Sequence, residues 1–299
     1  MISVIIPTYN REKTLPDAMK SVLDQSITDI ELIIADDCST DGTEKLVKEM
    51  ADPRVRYVRL PGNQGACAAR NAGIDAARGE IIAFQDSDDK WLPGKLERQL
   101  AVLKETGADV CFHSLKKIYT DSGKVEDFPR IAGSRFMSHQ EMCNEVVIST
   151  QTIMGVRKAF QVRFDPAVKK AQDYDWGIRA SREFSFYFLK EALAEQYVHN
   201  DSITAQGWRS VKESREYFLQ KYKEEFPENP GFELLQLRKL AKSKVIIGED
   251  ASKEYGRIYQ ITHNRQDLAK ILLYRTGFMK LLYKMRGIQE ENTISEKNR

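Results

Sequence analysis

Glu80-Ile-Ile-Ala-Phe-Gln85 runs directly into Asp86-Ser87-Asp88-Asp89, an apolar stretch that ends in three carboxylates within four residues. The apolar part is short and follows Gly79, and it reads as a buried strand over residues 81–84. Carboxylates held this close repel one another, and an ordinary strand end gains little from that repulsion. A hard divalent cation reverses the effect, because Mg²⁺ and Mn²⁺ take carboxylate oxygens and share them with phosphates. The plainer reading is an acidic turn ahead of a helix starting near Pro93. The surrounding sequence decides between the two.

Upstream of the cluster, residues 2–6, 31–35 and 55–59 are also short, β-branched apolar runs bounded by Pro, Asp or Gly. Between these runs lie helix-sized segments. Leu15, Ala18, Met19, Val22 and Leu23 share one helical face; Leu46, Val47 and Met50 mark a second helix, and the alanine-rich stretch 65–77 a third. Helices alternating with buried strands predict parallel pairing in an α/β layered sheet. Residues 110–114, 116–119 and 124–128 then read as strands joined by short turns such as Asp121-Ser-Gly123, an antiparallel extension. From about Val211 the pattern is almost wholly helical, ending in the polar tail 290–299. The expected division is 1–210, with halves 1–110 and 111–210, followed by a helical region 211–299.

The 299 residues allow a sizeable core. Lysines and arginines number 46 against 44 acidic residues, so no global field favours nucleic acid. Cys38, Cys67, Cys111 and Cys143 lie far apart with no Cys-x-x-Cys pair, which suits reduced thiols in a cytoplasmic protein. Neither a secretory leader nor a run of about 20 apolar residues is present, so a soluble or peripheral protein is expected.

Ligands of open α/β sheets bind beyond the carboxyl ends of the strands. After the first predicted strand comes Pro7-Thr8-Tyr9-Asn10-Arg11, with a ring to stack and polar groups to bond. After the second comes Asp36-Asp37-Cys38-Ser39-Thr40-Asp41-Gly42-Thr43. After the third comes Pro61-Gly62-Asn63-Gln64-Gly65, leading into a helix with Arg70 and Asn71; after the fourth comes the acidic cluster. Each segment alone is ordinary turn chemistry. Four on one rim describe a site.

In order, spacing and strand-end position, these segments resemble the successive motifs of the inverting, family-two glycosyltransferases, over about residues 1–210. The resemblance implies a GT-A (Rossmann-like) fold, a mostly parallel sheet flanked by helices. It also implies a nucleotide-sugar donor, most often a UDP-sugar, a Mn²⁺ or Mg²⁺ cofactor, and a glycan or lipid-linked acceptor of the cell envelope. Pro7, Tyr9 and Asp37 would hold the base, with Asp37 accepting an N–H from its edge. Arg11 would approach the phosphates, and Asn63 and Arg70 would lie along the nucleotide floor. Asp86 would bond the ribose or donor sugar, Asp88 would ligate the metal, and Asp89 would act behind it.

Inverting transfer is one in-line displacement, so the acceptor hydroxyl must lose its proton as it attacks. Phe164-Asp165-Pro166 and Gln172-Asp173-Tyr174-Asp175-Trp176 resemble the family's base segment, which places Asp173 as the base at a helix start and Asp175 as its first substitute. Gln172 stands where the family usually has Glu, Ala171 where Gly is common, and Arg163 where Gly usually precedes Phe. His199 is a second candidate around the metal or phosphates. Ser149 and Thr150, ahead of a strand expected over 152–156, together with Trp176, Trp208 and Arg209, are candidates for the acceptor side. The order Gln206-Gly-Trp-Arg209 differs from the Gln-x-x-Arg-Trp of processive relatives, so transfer of a single sugar is expected.

Two other classes compete. A nucleotidyltransferase of the same fold would carry a glycine-rich phosphate loop near the first strand, and Pro7–Arg11 has no glycine. A non-catalytic nucleotide-sugar-binding module would have no need of Asp88 and Asp173 together. In the segment 267–288, Leu268, Ile271, Leu272, Phe278, Met279 and Leu282 share a face opposite Lys270, Lys280 and Lys284. Two readings of it stay open: a helix packed on the domain or on a homodimer partner, and a helix lying on the inner face of an anionic membrane.

Overall fold

The computed structural model describes residues 1–198, 207–264 and 266–267. His199, the 290–299 tail and, apart from Asp267, the segment 267–288 lie outside the described residues. The chain forms two compact units, one of residues 1–167 and 172–199, the other of 168–171 and 200–299.

The first unit opens with β1 (Ile2–Thr8), α1 (Leu15–Leu23), β2 (Ile30–Asp36), α2 (Thr43–Glu49), β3 (Val55–Arg59), α3 (Ala66–Ala76) and β4 (Ile81–Phe84). β1 pairs in parallel with β2 and β4, and β2 with β3, as the alternation of runs predicts. Side chains alternate across the sheet: Ile5 enters one apolar cluster with Ile33 and Phe84, while Val4 and Ile6 enter the other with Leu32 and Ile34. Both faces are covered, which explains strands that are apolar throughout.

There follow β5 (Lys90–Trp91), α4 (Lys95–Thr106), β6 (Val110–Tyr119), β7 (Val125–Phe128), β8 (Arg135–Met137), α5 (His139–Asn144), β9 (Met154–Val156), α6 (Gln172–Ala180) and β10 (Phe186–Val198). The sheet order is β3-β2-β1-β4-β9-β6-β10-β5. β9 is antiparallel to both β4 and β6 and so joins two parallel parts, and β7 extends β6 antiparallel. Residues 110–114 and 116–119, expected as two strands, form one strand because Leu115 between them is fully buried and continues the pairing. The strand expected over 152–156 begins only at Met154, after a 3₁₀ turn of Thr150–Thr152.

Gly73 fixes the height of α3 over the sheet. A Cβ there would lie 2.4 Å from Cγ2 of Ile5, so only glycine permits this approach. Arg70, one turn earlier, is thereby set at the strand-end rim. α6 is anchored by Trp176, whose indole stacks on Phe160 and Phe164 with centroids 5.1 and 5.8 Å away. Each such pair contributes on the order of 1 kcal/mol beyond burial.

The second unit contains α7 (Trp208–Lys221), α8 (Pro230–Ile246) and α9 (Ser252–Thr262), in line with the helical reading. Leu237, Ala241, Val245, Ala251, Tyr255 and Ile258 form its core, and Arg257 clamps Glu233 with bonds of 2.7 and 2.9 Å. No helix among the described residues is long and apolar enough to cross a membrane.

Candidate active site

The loops after β1 and β2 are laced together. Asn10 N donates to Ser39 Oγ at 2.9 Å, Arg11 N to Thr43 Oγ1 at 3.0 Å, and Thr40 N to Asn10 Oδ1 at 2.8 Å. Asn10 and Cys38 both take left-handed backbone conformations to allow it. Beneath them Asp36 is fully buried and accepts from Ser39 N, the Tyr57 hydroxyl and Arg59, so the first aspartate of the pair is structural.

Asp37, only 3% exposed, accepts Gln64 N and Gly65 N, both at 2.7 Å. Its charge sits ahead of the α3 N-terminus, where the helix dipole favours it. Its immediate work is therefore to shape the 61–65 loop; each oxygen keeps a lone pair through which a base edge would be met. Tyr9 is 42% exposed, with its ring open to a stacking partner. Pro7 is buried within β1 opposite Ala35, which leaves a base little of its surface to touch. Asn63 is exposed on the loop.

The acidic cluster divides its labour. Asp88 is partly exposed, and Arg11 Nη2 lies 3.4 Å from its Oδ2. Asp86 lies 3.5 Å from Arg70 Nη2. Burial pushes the Asp86 carboxyl up to about 6; Arg70 lowers it, and Asp88 and Asp173 push it further up. Asp89 points inward, accepting Tyr197 N at 2.8 Å and the amide of Gln151, and burial raises its pKa well above the usual carboxylate range.

Asp173 lies in the first turn of α6 and accepts the amide of Tyr174 at 2.8 Å. Burial raises its pKa, while the Tyr174 amide, the Arg70 charge and the Thr150 amide hold it down. Thr150 thus reaches the site through its backbone, and Ser149 beside it is buried at the start of the 3₁₀ turn. Arg70 Nη1 donates to Gln172 Oε1 at 2.7 Å, and its guanidinium lies 5.4 Å from the Phe164 ring centroid. The structure therefore brings Arg70, Asp88 and Asp173 into electrostatic reach of Asp86.

Other expected residues fall elsewhere. Trp176 is fully buried, and its indole N–H donates to Val162 O at 2.8 Å, so it belongs to the core and does not face an acceptor. Asp175 is fully buried and paired with Arg179 at 2.8 Å, which removes it as a substitute base. Arg163 pairs with Asp75 on the surface at 2.6 Å. Ala171 takes φ +60°, which explains why glycine suits that position. Trp208 and Arg209 open α7 in the second unit, where Lys242 lies over the Trp208 ring at 5.2 Å. Gln151 and Lys117 had no distinguishing sequence pattern; Gln151 is a buried polar residue in a short turn, and Lys117 lies in an otherwise ordinary strand.

The sequence profile of Glycosyl transferase family 2 matches residues 3–164, more than half of the chain. The chain belongs to the family-two glycosyltransferases. This glycosyltransferase is 34% identical to the putative teichuronic acid biosynthesis glycosyltransferase TuaG of Bacillus subtilis (strain 168), over 72% of this chain and 85% of that one. It is 31% identical to the putative colanic acid biosynthesis glycosyl transferase WcaA of Escherichia coli (strain K12), over 76% and 82%. Its fold is that of S. aureus TarS in complex with UDP-GlcNAc, with TM-score 0.64, 18% identity, and 100% and 95% of the two chains covered. The GT-A architecture implied by the strand-end motifs is the one observed.

Proposed function

We propose that this glycosyltransferase moves one sugar from a UDP-sugar to a hydroxyl of a cell-surface polysaccharide or its lipid-linked precursor, with inversion at the anomeric carbon. The observation that carries the reading is Asp173, held at the start of α6 beside Arg70 and Asp86 on the rim where the strand-end loops converge. The names of TuaG and WcaA support a surface-polymer acceptor, and the UDP-GlcNAc bound by TarS supports a UDP-sugar donor.

Tyr9 stacks on the base, and the loop shaped by Asp37 lies along the nucleotide. Asp86, backed by Arg70, bonds hydroxyls of the ribose or donor sugar. Asp173 takes the proton of the attacking hydroxyl; burial raises its basicity, and Arg70 and two amides oppose that rise. Arg70 also holds Gln172, and so orients the first turn of α6.

The carboxylates fit a divalent cation. Asp86 and Asp88 are hard oxygen donors that push on each other, and Asp88 has a partly exposed carboxylate with Arg11 beside it. Asp88 would hold Mg²⁺ or Mn²⁺, with the donor phosphates as further ligands. Bound there, the ion supplies charge neutralisation for the departing diphosphate.

The test is UDP release from a panel of UDP-sugars with Mn²⁺ or Mg²⁺ present, with water or glycan acceptors. Release from at least one donor, above the level of a denatured control, is expected. No release and no UDP binding would contradict the reading.

A further inference from the structure

β6 runs on past the body of the sheet, and its last residues pair with β7 on one side and with the end of β10 on the other. Lys117 sits in this extension, opposite Glu126 and Gln196. Tyr197, the next residue along β10, gives its amide to Asp89, so this corner of the sheet is tied to the acidic loop. The Lys117 ammonium lies 3.9 Å from the Phe128 ring centroid. Among the described residues it makes no hydrogen bond or ion pair. Its cross-strand neighbour Glu126 is taken by Lys124 at 2.6 Å, the Tyr119 hydroxyl at 3.3 Å and Arg130 at 3.5 Å.

An ammonium is strongly hydrated, and half-burying one on an aromatic face without an acceptor leaves its donors unused. Burial lowers its pKa, while the carboxylates of Asp173, Glu126 and Asp89 pull it back up. Lys117 therefore lies within electrostatic reach of Asp173 without pairing with it. At Asp173 itself, Arg70 and the amides of Tyr174 and Thr150 already oppose the rise that burial causes.

We infer that Lys117 binds an anionic group of the acceptor, a phosphate or a carboxylate carried near the hydroxyl that Asp173 deprotonates. The inference rests on the glycosyltransferase reading of the site and specifies the acceptor's chemistry. A phosphate would come from a lipid diphosphate or a phosphodiester polymer, and a carboxylate from an acidic sugar.

The test uses the full-length protein saturated with UDP and Mg²⁺, so that the donor phosphates are in place. Dissociation constants for glycerol 1-phosphate, glucuronate and neutral glucose are measured by ligand-observed NMR on the wild type, Lys117→Gln and Lys117→Arg. At least one anion should bind the wild type roughly tenfold or more tightly than Lys117→Gln, the scale of a charge-assisted hydrogen bond. Lys117→Arg should keep that affinity, and glucose should not distinguish the variants. Selective loss of glycerol phosphate assigns a phosphate-bearing acceptor, and selective loss of glucuronate an acidic sugar. Equal anion binding to wild type and Lys117→Gln overturns the inference. So does a Lys117→Gln protein that binds anions normally but shows a shifted acid limb of donor hydrolysis, because Lys117 would then act on Asp173 alone. UDP affinity, titrated on each protein before saturation, tests the UDP-sugar reading of the site separately: its absence defeats that reading whatever the anions do.

Discussion

Arg70 Nη1 donates to Gln172 Oε1 at 2.7 Å, so one guanidinium joins the helix after the third strand to the first residue of the helix that carries Asp173. The same group lies 3.5 Å from Asp86 and lowers the proton affinity of both carboxylates. A base works only when deprotonated, so activity is lost as pH falls through its pKa. Arg70→Met keeps the packing on Phe164 but removes the charge, which raises the pKa of Asp173. The acid limb of UDP-sugar hydrolysis should move to higher pH by about one unit, at the low end of what a neighbouring charge does. An unmoved limb would make Arg70 a scaffold residue only.

Asp173→Asn should lower turnover by roughly 10²–10⁴-fold, the usual contribution of a positioned general base. UDP affinity, measured calorimetrically with Mg²⁺, should change little. With Asp175 fully buried against Arg179, no second carboxylate of α6 is placed to rescue the reaction. Near-normal turnover would assign the proton to another group.

Asp88→Asn removes the charged, partly exposed carboxylate of the cluster without touching the core. Donor affinity in the presence of Mn²⁺ should fall, and affinity measured with chelator should be the same in variant and wild type. Wild-type activity that survives exhaustive chelation would remove the cation from the reaction.

Lys95 is fully buried, donates to Gln99 Oε1 at 2.7 Å and lies 3.8 Å from the Trp91 ring centroid. Burial lowers its pKa to about 7, whereas in an unfolded chain the amine keeps its proton to about 10.4. Between those values the unfolded state binds the extra proton, so stability rises with pH. Relative to Lys95→Met, the wild type should gain about 2 kcal/mol between pH 7 and pH 9 in urea unfolding. A difference that does not vary with pH would mean the amine stays charged in the fold.

Much of the part from β1 to β4 was legible because its strands are continuous β-branched runs, each ending in a polar rim. The other half was less so. β10 alternates apolar and polar residues only in part, and register shifts between Leu189 and Ala192 and between Ala192 and Glu195 break the period-two pattern. Trp176, three residues after Asp173, reads in sequence as an acceptor-side candidate, but α6 is short and buried on most sides, so its aromatics fill the core. Asp89 and Asp88 read alike in sequence. Their difference lies in which way the loop turns, and Gln151 and Tyr197, which hold Asp89 inward, come from distant parts of the chain.

The reaction's stereochemistry tests the role of Asp173 most directly. Without an acceptor, water takes the place of the attacking hydroxyl, and ¹H NMR of the freshly released sugar reports its anomeric configuration before mutarotation. From an α-linked UDP-sugar, a single displacement assisted by Asp173 predicts the β-anomer as first product, and its loss in Asp173→Asn. The α-anomer as first product would contradict the mechanism.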